Sequence, residues 1–229
     1  MSKIKYIAAV LIGLAGLSLQ QVKADNSTFF LTTSNIPGFV GPINMVQVSI
    51  TTTMGSNQAA VTFTSQTATV GGTNYIFMIG NGSAFDLNTS AAATTGTYAF
   101  TQPAGGGFAA PSVVTPNVSG QVDGFGVFNN TNTMFNGFDH AVTSVSFILT
   151  KANGNWGAAA NVLAANANGA IAAAHIFITQ APGALANGAT FTGYAANGGS
   201  VNTPDGGTTV MLLGVALGAL GMARRFLRS

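Results

Sequence analysis

The stretch that decides the fold is Ser144-Val145-Ser146-Phe147-Ile148-Leu149-Thr150. Val145, Phe147 and Leu149 alternate in it with small hydroxyl side chains. Because successive residues of a β-strand point to opposite faces, this alternation places the apolar groups on one side and the hydroxyl groups on the other. The segment therefore predicts a half-buried strand with an uncharged polar outer face.

The same alternation, or a short β-rich run, recurs at Val46–Thr51, Val61–Thr69, Tyr75–Ile79, His175–Thr179 and Thr190–Tyr194. Gly- and Asn-rich stretches separate these segments and indicate turns. Several short strands without a long amphipathic helix predict an all-β fold, a single β-sandwich of jelly-roll-like or immunoglobulin-like type over residues 25–202. The exception is Gly157–Ala174, whose alanines indicate one helical turn or an irregular crossing.

Charge is scarce and unevenly placed. Charged residues are 5% of the 229-residue chain, Glu is absent, and the net charge of +2 comes from basic residues near the two ends. The predicted domain carries one basic side chain, Lys151, against four aspartates, a formal charge of −3. Because a phosphate-binding surface needs clustered Lys or Arg, we expect no nucleic-acid partner. The absence of Cys excludes disulfides and thiolate chemistry.

The N-terminus has the three parts of a secretory signal. Lys3 and Lys5 precede an apolar stretch, Ile7–Leu19, and Val22-Lys23-Ala24 follows as a candidate cleavage site. The apolar stretch is shorter than the roughly 20 residues that span a bilayer. We therefore predict a signal helix over residues 1–24 that signal peptidase removes.

The C-terminus has a second tripartite pattern. Pro204-Asp205-Gly206-Gly207 precedes an uncharged, mostly apolar run, Thr208–Ala223, and arginines follow at 224, 225 and 228. The run predicts a short transmembrane helix. The arginines that follow it are expected to keep the end of the chain in the cytoplasm. The domain is then expected on the far side of the inner membrane.

This tail resembles the PEP-CTERM class of sorting signals, in its VPDSG-type variant. Thr203 stands where that motif usually has Val, and Gly206 where it has Ser. The resemblance implies that an exosortase of a Gram-negative bacterium processes a transient inner-membrane intermediate, which then reaches the cell surface or extracellular matrix. Residues 203–229 are accordingly the predicted sorting signal, with motif residues Pro204, Asp205, Gly206, Gly207, Arg224 and Arg225.

The body also resembles an uncharacterised PEP-CTERM-associated family. The matching pieces are Asp123–Phe128, Asn136–Thr150, Gly154–Gly169 and Ala172–Thr179. The resemblance supports location and architecture and implies no activity.

Candidate catalytic and metal-binding groups are few. His140 and His175 are the side chains suited to proton transfer near neutral pH, and neither a GxSxG nor an HExxH motif is present. Asp123, Asp139 and His140 are close in sequence and are candidate metal ligands, with calcium favoured over zinc. For His175, a hydrogen-bonded and partly buried role is expected. Trp156 could stack on a sugar, although a core position is favoured.

These observations predict a non-enzymatic exported surface or matrix protein without a cofactor, with exopolysaccharide as its expected associate. One alternative is a secreted ligand- or carbohydrate-binding module with a structural calcium ion. The other is an unrecognised hydrolase.

Overall fold

The computed structural model describes residues 24–39, 41–104, 106–181 and 185–202. Almost all of the predicted signal segment and the whole of the predicted sorting tail lie outside these residues. Within the ranges given, no helical segment has the length and hydrophobicity needed to span a bilayer.

Strands dominate the described residues. They are β1 (Ala24–Ser34), β2 (Val46–Thr53), β3 (Gln58–Ser65), β4 (Thr67–Val70), β5 (Thr73–Ile79), β6 (Phe85–Leu87), β7 (Ala93–Thr101), β8 (Val113–Val122), β9 (Gly126–Met134), β10 (Ser144–Lys151), β11 (Ala172–Gln180) and β12 (Phe191–Asn202). Two single-turn 3₁₀ helices, Phe138–His140 and Ala159–Asn161, complete the described elements. The prediction for Gly157–Ala174 is therefore confirmed as a crossing with one helical turn, and β11 begins at its end.

The strands form one continuous antiparallel sheet that nearly closes on itself. The order is β7-β10-β3-β2-β1-β12-β11-β6-β9-β8, and the β4–β5 hairpin joins through pairing of β5 with β11. The all-β prediction is confirmed. Backbone hydrogen bonds connect all the strands into one sheet, whereas the sequence predicted two sheets packed face to face.

The stretch that decided the fold lies in β10, between β3 and β7. Val145, Phe147 and Leu149 are buried as the alternation predicted, and Ile148 is partly exposed on the outer face. Phe147 pairs with Val61 of β3. The Phe147 ring lies 4.9 Å from that of Phe85, which belongs to β6 in the distant half of the sheet. Contacts of this kind join the two halves across one core. Burial of each such side chain contributes about 1.5–3 kcal/mol.

Strand β11 is buried on both faces, unlike β10. Ile176 and Ile178 face the main core, whereas Ala173 and Phe177 belong to two smaller apolar clusters on the opposite face. These clusters form because the β8–β9 hairpin and the loops near residues 108 and 138 cover that face. An outer layer therefore covers this side of the sheet at β11.

Asparagine side chains bridge the seam between β7 and β8, the two end strands of the sheet. Asn117 accepts hydrogen bonds from the backbone N–H and the hydroxyl of Thr95, and its amide donates to the Thr95 carbonyl (3.2 Å). Beneath the seam, the side-chain oxygen of Asn132 lies 2.7 Å from the same Thr95 hydroxyl, which donates its single hydrogen to one of the two amides at a time. Asn132 also accepts from Tyr98 (3.2 Å), and Asn130 donates to the Ala93 carbonyl (3.2 Å). At this seam, side chains bond to backbone polar groups that are bonded to the backbone of a neighbouring strand in the rest of the sheet.

Candidate functional site

The three residues predicted to bind a metal fall in two separate places. Asp139 and His140 lie in the first 3₁₀ turn, with 3.0 Å between Asp139 Oδ1 and His140 Nδ1. Asp123 lies in the turn of the β8–β9 hairpin, where Asn35 donates to its backbone carbonyl (3.2 Å) and its carboxylate (3.4 Å). No group of three or more potential His or Asp ligands occurs among the described residues. The calcium ion stays a prediction without an assembled ligand set.

His175 is placed by β11 on the enclosed outer face of the sheet. It is 8% exposed, and both ring nitrogens have partners: Nδ1 with the Gly80 carbonyl (2.9 Å) and Nε2 with the Thr192 hydroxyl (3.0 Å). The carbonyl requires Nδ1 to donate, so in the neutral ring Nε2 accepts from Thr192. Burial lowers the pKa of His175, partly opposed by the bond to Gly80. The predicted hydrogen-bonded, partly buried role is confirmed.

Asp86, in the short strand β6, is the most unusual charged residue of the domain. Its neighbours Phe85 and Leu87 belong to the main core, and the alternation of the strand turns Asp86 to the opposite face. The residue has no solvent exposure, and neither carboxyl oxygen has a hydrogen-bond partner among the described residues. Burial raises its pKa well above the usual value; the Asn132 backbone N–H opposes this but lies outside hydrogen-bond geometry. Burial therefore favours the protonated form of Asp86 more than it would be favoured in an exposed Asp.

Tyr194 of β12 joins these groups into one cluster, which we call the outer cluster: Asp86, Asp123, His175 and Tyr194. The Tyr194 ring lies 4.8 Å from the His175 ring at 66°, and its hydroxyl approaches the Gly82 carbonyl at 3.5 Å. Burial raises the pKa of Tyr194, and the negative charges of Asp86 and Asp123 raise it further. Asp86 and His175 are closed to solvent, whereas Asp123 is exposed and Tyr194 is partly buried, so the two buried groups are not accessible to a diffusing substrate.

Trp156, the residue weighed for sugar stacking, belongs to the core. It is 4% exposed, and its indole N–H donates to the Leu149 carbonyl (3.3 Å). The ammonium group of Lys151 lies 5.2 Å from its ring centroid, a cation–π distance. The favoured core position is confirmed, and this ring is not available as a sugar platform.

The open outer face of β1, β2, β3 and β10 has a different character. Most of its side chains carry hydroxyl groups, and Phe30 and Ile148 are partly exposed apolar residues on the same face. We call this surface the hydroxyl face and define it by Thr28, Ser49, Thr62, Thr64, Ser144 and Ser146. Ser146, Thr62, Ser49 and Thr28 form one row across the four strands by backbone register. The Thr62 and Ser146 hydroxyls are 3.0 Å apart.

Asp86 was not among the candidates predicted from the sequence. The available signal was a charged residue inside the apolar run Ala84-Phe85-Asp86-Leu87. A buried position for such a residue is rare and often functional or strained. The signal was weak because β6 has three residues, too few for the alternation of a strand to be recognised from sequence.

Comparison with known proteins locates similarity in the tail. Residues 204–226 match the model of the VPDSG-CTERM motif, and this segment includes the predicted motif residues from Pro204 to Arg225. No curated protein and no solved structure matches the chain. The predicted likeness of the body to a PEP-CTERM-associated family stays a prediction. The chain therefore carries a PEP-CTERM-type sorting signal, which indicates an exported protein processed by an exosortase.

Proposed function

We propose that this chain is a non-enzymatic surface or matrix protein that associates with exopolysaccharide after sorting. The match of residues 204–226 to the VPDSG-CTERM motif carries the proposal. Signal peptidase removes residues 1–24, the tail holds the exported domain transiently at the inner membrane, and an exosortase then releases it toward the surface. Gly206 and Thr203 depart from the usual motif, so the exosortase must tolerate both residues.

The character of the domain supports a binding or structural role over catalysis. Both nitrogens of His175 are engaged within the fold, and His140 pairs with a neighbouring, half-exposed Asp139 in a single helical turn. A general base needs a free nitrogen within reach of a substrate proton. The His175 arrangement does not provide one, which favours the non-enzymatic function over a hydrolase.

The finer architecture belongs to the same proposal. The ring centroid of Phe85 lies 4.9 Å from that of Phe147 and 6.0 Å from that of Phe63. These contacts form although β6 is far from β3 and β10 along the sheet. Facing layers in contact across a core are typical of a β-sandwich. We propose a jelly-roll-like sandwich, because the strand count exceeds that of immunoglobulin-like domains.

Cell fractionation tests the sorting step. In the source bacterium, the protein should reach the surface or matrix without its tail. In a strain lacking the exosortase, it should remain full-length in the membrane fraction. Asp205→Ala should reproduce that block, whereas the control Thr203→Val, which restores the usual motif residue, should be sorted normally. Finding the full-length wild-type chain in the cytosol would contradict the proposal.

The calcium-binding alternative has a separate test. Because Asp123 lies apart from the Asp139–His140 pair, we expect EDTA to leave the melting temperature of the protein unchanged. Elemental analysis should accordingly find no stoichiometric calcium. A melting temperature that falls by several degrees with EDTA and recovers with calcium would favour the binding module with a structural ion.

A further inference from the structure

The hydroxyl face is a regular array built by strand register. Ser144 pairs with Thr64, and Ser146 pairs with Thr62, which in turn pairs with Ser49. Neighbouring strands lie about 4.8 Å apart, and residues on one face of a strand repeat at about 6.8 Å. The sheet therefore presents hydroxyl groups in two dimensions at spacings comparable to the length of one sugar unit.

The charged residues of these strands all point away from the hydroxyl face. Lys151, at the end of β10, donates to the Asn155 carbonyl (2.8 Å) and lies over the Trp156 ring. Asp25, near the start of β1, accepts a hydrogen bond from the Ala159 backbone N–H (2.6 Å). Solvent-facing strands of soluble proteins usually carry mixed charges, which maintain solubility. The absence of charged side chains from this face therefore favours an uncharged ligand.

The chemistry of the face selects the class of ligand. A hydroxyl group both donates and accepts hydrogen bonds, so it can pair with a sugar hydroxyl in either direction. Water competes for each such bond, and the net gain from one bond is small. A ligand must therefore make many bonds at once, as a repeating polymer does. An acidic polymer is disfavoured, because the face offers no basic side chain and the domain has a formal charge of −3.

We propose that the hydroxyl face is a docking surface for a neutral polysaccharide chain that lies across β1, β2, β3 and β10. The inference rests on the proposed association with exopolysaccharide and adds to it a surface and a ligand class. Sorting by the exosortase does not depend on it.

Retention on polysaccharide beads tests the proposal. The full-length protein, purified in a neutral detergent, is passed over immobilised dextran, amylopectin and galactomannan, which are neutral, and over alginate, which is acidic. We expect retention on at least one neutral polymer and none on alginate. The triple variant Ser49→Ala, Thr62→Val, Ser146→Ala removes three hydroxyls and should lower the affinity at least about tenfold.

Two control variants test whether a loss of polysaccharide binding is specific to the hydroxyl groups of this face. Ser112→Ala, Thr115→Val, Ser119→Ala makes the same chemical changes in and beside β8 and should bind as the wild type does. The hydroxyl-preserving variant Ser49→Thr, Thr62→Ser, Ser146→Thr should also retain binding. Circular dichroism and melting temperature confirm that each variant is folded.

Each remaining outcome overturns a stated part of the proposal. Equal retention of the wild type and the hydroxyl-free variant would exclude the face while leaving the proposed function intact. Retention on alginate alone would exclude a neutral ligand. Retention on none of the polymers would exclude the docking surface, and the exosortase fractionation would still test sorting independently.

Discussion

Replacing Asp86 with asparagine should make the protein more stable at neutral pH and change its stability little in acid. The Asp86 carboxyl is sealed from solvent in β6 and has no hydrogen-bond partner among the described residues, and burial raises its pKa. Asparagine has nearly the same shape and no charge to lose. The substitution therefore removes the ionisation of one buried group while leaving the packing in place.

The size of the effect follows from proton linkage. The unfolded chain releases the Asp86 proton near pH 4, whereas the folded protein keeps it to higher pH. Above about pH 4 the native state therefore binds more protons than the unfolded state, and the free energy of unfolding falls as the pH rises. The slope from this one group is at most about 1.4 kcal/mol per pH unit, and it ends where Asp86 ionises in the folded protein.

Urea unfolding followed by tryptophan fluorescence measures the difference. Trp156 is the single tryptophan of the chain and is buried in the core, so its emission reports unfolding of the domain. Wild type and Asp86→Asn are compared at pH values from about 4 to 8. The advantage of the variant should be near zero at the acidic end and should increase with pH.

Asp139→Asn is the matched control, because its side chain is 48% exposed and lies next to His140. It removes the same charge from the surface, where screening keeps the effect small. Parallel stability curves for wild type and Asp86→Asn would refute the reasoning. A variant that is less stable than the wild type at pH 7, by an amount that shrinks in acid, would mean that Asp86 is ionised and paired in the folded protein.

Three further predictions concern stability, each measured by urea unfolding. Burial lowers the pKa of His175, so the folded protein should lose stability as the pH falls below about 6.5, by at most about 1.4 kcal/mol per unit; His175→Gln should remove this acid dependence. Asn132→Leu should cost about 1–3 kcal/mol, because it removes an acceptor that faces the Thr95 and Tyr98 hydroxyls and the amide that donates to Asn130. Gly193→Ala would place a Cβ 2.5 Å from a side-chain carbon of Ile36 and should cost about 1–3 kcal/mol. Gly96→Ala, with open space at its Cβ, should cost less and serves as the control. Equal costs for the two glycine variants would contradict the steric explanation.

Strands with large apolar side chains in an alternating pattern or a short β-rich run were predictable. Val46–Thr51, Tyr75–Ile79 and His175–Thr179 lie in β2, β5 and β11. In β2 the alternation matches the burial, whereas β5 was recognisable as a short β-rich run and β11 alternates in sequence but is buried on both faces. The boundaries were less certain: Val61–Thr69 proved to span the end of β3 and most of β4.

Strand β9 could not be predicted, because its sequence, Gly126–Met134, is rich in Asn and Thr and resembles a loop. Asn130 and Asn132 are nevertheless buried, because their amides meet the polar groups of the seam. Strand β7 was missed for a related reason: it alternates weakly, and Thr95 is buried only through the same network. A buried amide is favourable when distant partners satisfy it, and sequence alone does not show those partners.

The candidate functional residues were likewise only partly predictable from the sequence. Asp123 and Asp139 are near in sequence, yet the β9 strand separates them, and Asp123 instead contacts Asn35 from the other end of the domain. Asp86, His175 and Tyr194 are far apart in sequence and meet through the pairing of β6, β11 and β12. Sequence proximity was therefore a poor guide to spatial proximity in a sheet whose neighbours are distant along the chain.

The amino-acid sequence by itself determined the sorting tail, the scarcity of charge and the all-β class, because each depends on composition or on a pattern within a few adjacent residues. The tertiary structure alone decided which polar groups are buried, how the seam is bridged and where the charge-free hydroxyl face lies. These features depend on contacts between residues tens of positions apart, and the free energy of a buried polar group is set by the partners that it meets there.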